Sequence, residues 1–365
     1  MEIFEQFFSE TPKKVSLHER KLFLPSGTNV SLYGAPKCGK TSLAILHTIK
    51  KKEPYIYIDF KDLRIDGKPF DAAYDFATSK KLSTVIFDGY EGEEFDARKG
   101  LQTILISEKP FENNSFTPYR LVGVDFEEYI SFEDSVHSKK DNEFEDDAVA
   151  HIFANFIKDG SLPKISTLTE FEKHKYKTEL IKQVATNQTE ALIIVEFLRK
   201  TAMKFSLLQV FTALKAKTKI SKDFFYSYTQ KLESMGILFF VEKLHQKNSP
   251  KKIYSYDFTL KTAVDLKKDF SGIFENMVFL ELNSRGYEVY YTDEAGLFVP
   301  EIEKAVVSKP FMPSDEDKMM AKLAKKAGEL GIRDVEIITV NKEAQTTLDG
   351  VRIQTTPFWQ WALSF

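Results

Sequence analysis

Five short apolar runs punctuate the first third of the chain: Val30–Tyr33, Tyr55–Phe60, Thr84–Asp88, Thr103–Ser107 and Arg120–Val124. Most are continuous rather than alternating, the pattern of strands buried on both faces of a parallel sheet. The stretches between them are long enough for crossover helices, which predicts an α/β sheet domain. His137–Asp147 is polar and charge-dense, the composition of an exposed linker or of a solvated helix start. Helical periodicity follows over Ala148–Lys158, closed by Asp159-Gly160, and then over Glu170–Asn187, Glu190–Met203, Leu207–Lys215 and Phe224–Met235. Gly160 and Gly236 stand where helices stop, and Ser221 is a candidate N-cap. Two strands, Ile237–Lys243 and Lys252–Phe258, flank the turn- and lysine-rich run 245–251. Three helices followed by a hairpin is the order of a winged helix. A helix near Phe274–Ser284, a strand at Glu288–Thr292, a helix within Glu316–Leu330 and a strand at Val335–Val340 predict a second, smaller α/β unit. The boundaries expected from these shifts are 1–136, 137–190, 191–260 and 261–365, with no internal repeat.

The clearest chemical signal is Gly34-Ala35-Pro36-Lys37-Cys38-Gly39-Lys40-Thr41, which satisfies G-x-x-x-x-G-K-[ST] between a strand and the helical run that starts at Ser42. Glycines there let backbone N–H groups turn inward around phosphate oxygens, and the helix start adds partial positive charge. This Walker A loop predicts an ATP site in which Lys40 reaches the β and γ phosphates and Thr41 ligates Mg²⁺. A P-loop ATPase also needs an acid ending a buried strand. Asp88, 48 residues after Lys40, is preferred for that place, with Asp59 as its rival. Gly89 follows, where many hydrolysing ATPases carry the glutamate that activates water. Glu91 is the nearest substitute, displaced by two residues, so weak or absent hydrolysis is the expectation. Ser107 is either a sensor of the γ-phosphate or an ordinary strand-end serine. Cys38 offers a redox control point or, as the blander reading, a small residue at a variable loop position.

Composition narrows the setting. The 365 residues hold one cysteine, which excludes a disulfide-stapled scaffold. No signal peptide is visible at the N-terminus and no apolar run approaches the ~20 residues that span a bilayer, so a cytoplasmic protein is expected. The net charge of −3 conceals a strong asymmetry. From Arg199 to Lys252 twelve basic residues face three acids, a local +9 against −12 elsewhere. Lys215, Lys217, Lys219, Lys222, Lys247, Lys251 and Lys252 are therefore candidate phosphate contacts to DNA, with Tyr226, Tyr228 and Gln230 near a groove. The competing reading is a solvated face on a protein-interaction scaffold whose nucleotide site is vestigial.

The loop, the strand ending in Asp88 and several later segments together resemble a bacterial and archaeal group of AAA-type ATPases. The later segments are Val124–Ile130, Phe153–Pro163, Lys252–Phe258, Ile273–Leu282, Gly286–Tyr291 and Pro357–Trp361. The resemblance implies an ASCE-type P-loop sheet, a winged helix and a C-terminal restriction-endonuclease-like domain. It also implies homo-oligomeric assembly with an arginine donated in trans, for which Arg98, Arg120 and Arg199 are candidates. The chain departs from the family at Gly89 and at Pro300, which falls about where an aspartate is usual, and Ala305–Lys309 lacks a clear Glu-x-Lys pair. Glu275, Glu301 and Lys309 are the residues left for a metal-dependent nuclease, so a degenerate, structural domain is expected.

Overall fold

Strands buried on both faces need helices above and below them, and the first third of the chain supplies both. The computed structural model describes residues 2–13, 19–65, 67, 69–90, 92, 95–111, 113–137 and 146–364. They fall into two units, Met1–Val122 and Gly123–Phe365. In the first, α1 (Glu2–Glu10) precedes β1 (Val30–Tyr33), α2 (Lys40–Lys51), β2 (Tyr55–Asp59), α3 (Phe70–Ser79), β3 (Thr84–Asp88), β4 (Gln102–Ser107) and β5 (Thr117–Arg120). The sheet order is β2-β3-β4-β1-β5 and every neighbouring pair is parallel. The α/β expectation holds, as a parallel sheet in which β4 separates the loop-bearing β1 from β3.

The fifth strand lies earlier than its apolar pattern suggests. Thr117 through Arg120 pair with Val30 through Tyr33. As an edge strand β5 is partly exposed and tolerates Pro118, so it lacks an apolar run. The apolar residues after it serve packing: Leu121 joins the core under α2, and Val124 joins the core of the second unit.

Side-chain alternation assigns each strand residue to a face. Ile56, Ile58, Val85, Phe87 and Leu105 pack with α1 and α3. Val30, Leu32, Tyr55, Ile86, Ile104 and Ile106 pack with Leu43, Ala44 and Ile45 of α2, and Tyr57 joins that side. Asp88 follows Ile86 by two residues, and Asp59 follows Tyr57 by two. Both carboxylates therefore belong to the α2 face, at the C-terminal ends of adjacent strands.

The second unit begins with α4 (Phe126–His137), α5 (Asp146–Asp159), α6 (Glu170–Val184) and α7 (Gln188–Arg199). The short β6 (Lys204–Phe205), α8 (Leu207–Lys215), α9 (Lys222–Ser234), β7 (Leu238–Val241) and β8 (Lys251–Ser255) follow, with an antiparallel sheet of order β6-β8-β7. Ser221 caps α9, its hydroxyl accepting from Phe224 N at 3.2 Å. The remainder is α10 (Phe270–Ser284), β9 (Tyr290–Tyr291), β10 (Leu297–Val299), β11 (Lys304–Ser308), α11 (Glu316–Glu329), β12 (Asp334–Thr339), β13 (Ala344–Leu348), β14 (Val351–Pro357) and α12 (Phe358–Leu363). Its six strands run β13-β14-β12-β11-β10-β9. The last hairpin is absent from the sequence expectation because its alternation uses Gln, Thr and Arg on the exposed side. One aromatic core joins α4, α5, β8, α10 and α12 through Phe126, Phe153, Phe156, Tyr254, Phe274 and Phe358, with Trp361 fully buried among them.

Candidate nucleotide site

The loop after β1 is held in shape by three backbone conformations that side chains resist. Gly34 has φ 147°, Lys37 φ 63° and Gly39 φ 103°. A Cβ at Gly34 would stand 2.2 Å from the carbonyl oxygen of Leu121, so only glycine fits between β1 and the exit of β5. Gly39 leads into α2, whose first turn has no side-chain cap, leaving its N–H groups to an anion. Lys40 Nζ donates to the carbonyls of Gly34 (2.7 Å) and Ala35 (2.9 Å), folded back across the loop that carries it. Ala35, Pro36, Lys37 and Cys38 form the turn, and Ser42 lies in the first turn of α2.

Across the intervening β4, Thr41 Oγ1 donates to Asp88 Oδ2 at 2.5 Å. The same oxygen accepts the Tyr57 hydroxyl at 2.8 Å. Burial, and next the Asp88 charge, push the Tyr57 phenol far above its ordinary range, so it stays protonated and donates. A hydroxyl and a carboxylate side by side form the oxygen donor pair that a hard cation such as Mg²⁺ takes when phosphates complete its shell. Among the described residues no cluster of three or more metal-ligating side chains exists.

Sequence spacing did not point to Tyr57, nor to Arg20. The Arg20 guanidinium donates to the carbonyls of Cys38 (2.6 Å) and Val122 (2.9 Å), tying the loop to the last residue of the first unit. Cys38 is fully buried, its thiol donating to Leu121 O at 3.5 Å, which makes it a packing residue of the loop. Asp59 lies beside Asp88 in register. Ser107 alternates to the Leu105 face, opposite to Asp88, and its hydroxyl donates to Lys109 O at 2.5 Å. Glu91 lies outside the described residues. Of the arginines considered for a trans role, Arg98 pairs with Asp75 (2.5 Å), Arg199 donates to Val264 O (3.1 Å), and Arg120 ends β5.

The basic segment is partly neutralised. Lys217 and Lys200 pair with Glu196, Lys251 with Glu242, Lys252 with Glu275, and Lys204 and Lys243 with Asp293. Among the described residues Lys215, Lys219, Lys222 and Lys247 form no ion pair; Lys215 and Lys222 lie over the rings of Phe211 and Tyr226. Gln230 is exposed on α9 and Tyr226 half-buried, whereas Tyr228 packs inward, its hydroxyl donating to Val184 O at 3.4 Å. In the C-terminal unit Glu275 accepts from Tyr254 (2.6 Å) as well as Lys252, and Glu301 accepts from the backbone N–H of Glu288 (2.7 Å). Lys309 follows β11, its backbone N–H bonded to Ile338 O. No helix among the described residues is long and apolar enough to cross a membrane.

No family model matches this chain. An uncharacterised protein of Methanocaldococcus jannaschii is 23% identical over 422 aligned positions, spanning 98% of this chain and 93% of that one. Among solved structures, a Walker-type ATPase of Pyrococcus abyssi is similar over 64% of this chain and 90% of its own, at 15% identity and a TM-score of 0.42. The ORC1 protein of Aeropyrum pernix, solved in complex with DNA, is similar over 66% and 87%, at 10% identity and a TM-score of 0.30.

Proposed function

We propose that the chain is an ATP-binding, AAA-type switch protein with weak or regulated hydrolysis, whose nucleotide state acts on a basic winged helix that contacts DNA. The observation that carries this reading is the Thr41–Asp88 hydrogen bond of 2.5 Å beside a complete phosphate loop. It joins two segments 47 residues apart on the one face where α2 presents uncapped N–H groups. Lys40, Thr41 and the loop backbone would hold the phosphates, Thr41 and Asp88 would hold Mg²⁺, and the cation would supply charge neutralisation to the phosphates. On nucleotide binding the Lys40 ammonium exchanges the Gly34 and Ala35 carbonyls for phosphate.

The helix–strand–helix–helix–strand–strand order from α7 to β8, with β6 pairing β8, supports the winged-helix reading of 191–260. DNA contact falls to Lys215, Lys219, Lys222 and Lys247, none of which is held in an ion pair among the described residues, and it reads phosphate rather than base sequence. The C-terminal unit is proposed as structural, since Glu275 and Glu301 are each engaged by neighbouring donors.

Two measurements test the reading. ATP affinity is compared between wild type and Lys40→Ala, where a loss of ~30-fold or more is expected and equal affinities would end the proposal. ATP turnover is then measured with and without duplex DNA. A DNA-dependent change supports the switch, whereas DNA binding indifferent to ATP supports a scaffold with a vestigial nucleotide site.

A further inference from the structure

The residue after Asp88 is a glycine in a backbone conformation that disfavours a side chain. Gly89 has φ 75°, a conformation that side chains rarely adopt. A Cβ at that position would lie 3.2 Å from Cε and 3.3 Å from Cγ of Lys61, whose aliphatic stem covers it. The covering segment comes from the end of the neighbouring strand, Asp59-Phe60-Lys61. Pairing there persists to the last residue: Asp59 is in register with Asp88, and Phe60 N donates to Asp88 O at 2.8 Å.

In a parallel pair, residues in register point to the same face about 4.8 Å apart. Asp59 therefore projects beside Asp88 on the α2 side, one strand further from the phosphate loop. The segment that runs beside Gly89 thus delivers another carboxylate next to it. Asp59 is half-buried, and its Oδ1 accepts from Lys61 N at 2.9 Å, which fixes the carboxyl at the strand end. Among the described residues Oδ2 accepts from no protein donor.

We propose that Asp59 is the catalytic residue that orients and deprotonates the water attacking ATP, in place of a glutamate after Asp88. The proposal rests on the nucleotide reading above. The water oxygen bonds to the γ-phosphorus while the bond from that phosphorus to the β–γ bridging oxygen breaks, its electron pair leaving with ADP. The water proton passes to the Asp59 carboxylate and from there to the released phosphate. A general base contributes roughly 10²–10⁴-fold to such a step.

The test uses the full chain as wild type, Asp59→Asn, Asp59→Ser and Lys40→Ala. Asparagine and serine both keep an oxygen acceptor for Lys61 N and remove the carboxylate, so either one that folds suffices. Binding of a fluorescent ATP analogue with Mg²⁺ is read alongside single-turnover hydrolysis. The nucleotide recovered from the protein after long incubation is also identified. Expected is ATP affinity within ~3-fold of wild type, hydrolysis reduced ~100-fold or more, and bound ATP where wild type yields ADP. The assignment is overturned by hydrolysis within ~3-fold of wild type, by ATP affinity falling in parallel, or by a wild type that does not turn over even with duplex DNA. Lys40→Ala separates the two readings. Its retaining full affinity removes the nucleotide site itself; its losing affinity while Asp59→Asn hydrolyses normally removes only the role of Asp59.

Discussion

Replacing Gly34 by alanine is the sharpest test of the loop geometry, because its cost follows from one distance. The added Cβ would sit 2.2 Å from Leu121 O. Carbon and carbonyl oxygen ordinarily approach to about 3.3 Å, so β1 and the exit of β5 must part by about 1 Å. The obstacle is backbone and cannot rotate aside. Two hydrogen bonds lie in the path of that movement, Leu121 N to Tyr33 O at 2.8 Å and Arg20 to Val122 O at 2.9 Å. Strain in a conformation proper to glycine and the weakening of one of these bonds together destabilise the first unit by about 2–4 kcal/mol. For a unit of this size that is a fall in melting temperature of about 10 °C. The loop leads directly to Lys40, so ATP affinity falls as well, by ~30-fold or more. Thermal unfolding and equilibrium ATP binding measure the two effects. Gly27→Ala is the control: φ is 73° there and nothing lies within 4 Å of its Cβ, so the loss is about 1–2 kcal/mol and affinity is unchanged. A Gly34→Ala protein melting within about 2 °C of wild type and binding ATP within about twofold would refute the argued contact with Leu121.

Three further outcomes follow from other contacts. Tyr57→Phe removes one of the two donors to Asp88 Oδ2; a bond to a charged acceptor is worth about 1.5–3 kcal/mol, so the Mg²⁺ needed for half-maximal ATP binding rises by about tenfold or more while Mg²⁺-free binding does not change. Burial raises the Glu281 carboxyl to about 7 against the opposing pull of Arg285 at 2.9 Å. Its folded value exceeds the unfolded 4.5, so stability declines as pH rises from about 4.5 to about 7 and is level above. Glu281→Gln flattens that decline, worth on the order of 2–3 kcal/mol, in urea unfolding followed by fluorescence of Trp359 and Trp361, which both lie in the same unit. Finally, phosphate contact by Lys215, Lys219, Lys222 and Lys247 predicts a slope of about −3.6 for log affinity against log salt in duplex DNA binding. A slope near about −6.3 would mean that the ion pairs of Lys217, Lys251 and Lys252 open on DNA.

The phosphate loop was legible because its chemistry is local: eight consecutive residues after an apolar run specify turn, cation and hydroxyl together. Asp88 was preferred one step further out, as an acid ending a buried strand with Asp59 as its rival, and the structure sets Asp88 against Thr41. What stayed hidden depends on register between strands distant in sequence. Tyr57 reaches Asp88, and Asp59, named from the sequence only as a rival acid, comes to lie beside it, because β2 pairs β3 with 55 opposite 84, a fact that no period along either strand contains. Arg20 is hidden for the same reason, being set by the 102 residues that separate it from Val122. The fifth strand was misplaced because an exposed edge strand carries less apolar signal than the packing residues that follow it.

Charge shows the same division between local and tertiary information. The +9 of Arg199–Lys252 is a property of the sequence, but the field that a DNA duplex meets is not. Glu196, Glu275 and Asp293 lie outside that segment in sequence and inside it in space, paired with Lys200, Lys204, Lys217, Lys243 and Lys252. Adding them lowers the local charge to +6, and Lys215, Lys219, Lys222 and Lys247, which have no ion pair among the described residues, stand at the end of α8, the start of α9 and the turn between β7 and β8. These are the places from which a helix-and-wing surface touches phosphate. The ion pairs therefore reduce the charge while confining it, which makes the salt slope, rather than the bare affinity, the measurement that separates a positioned DNA contact from general basicity.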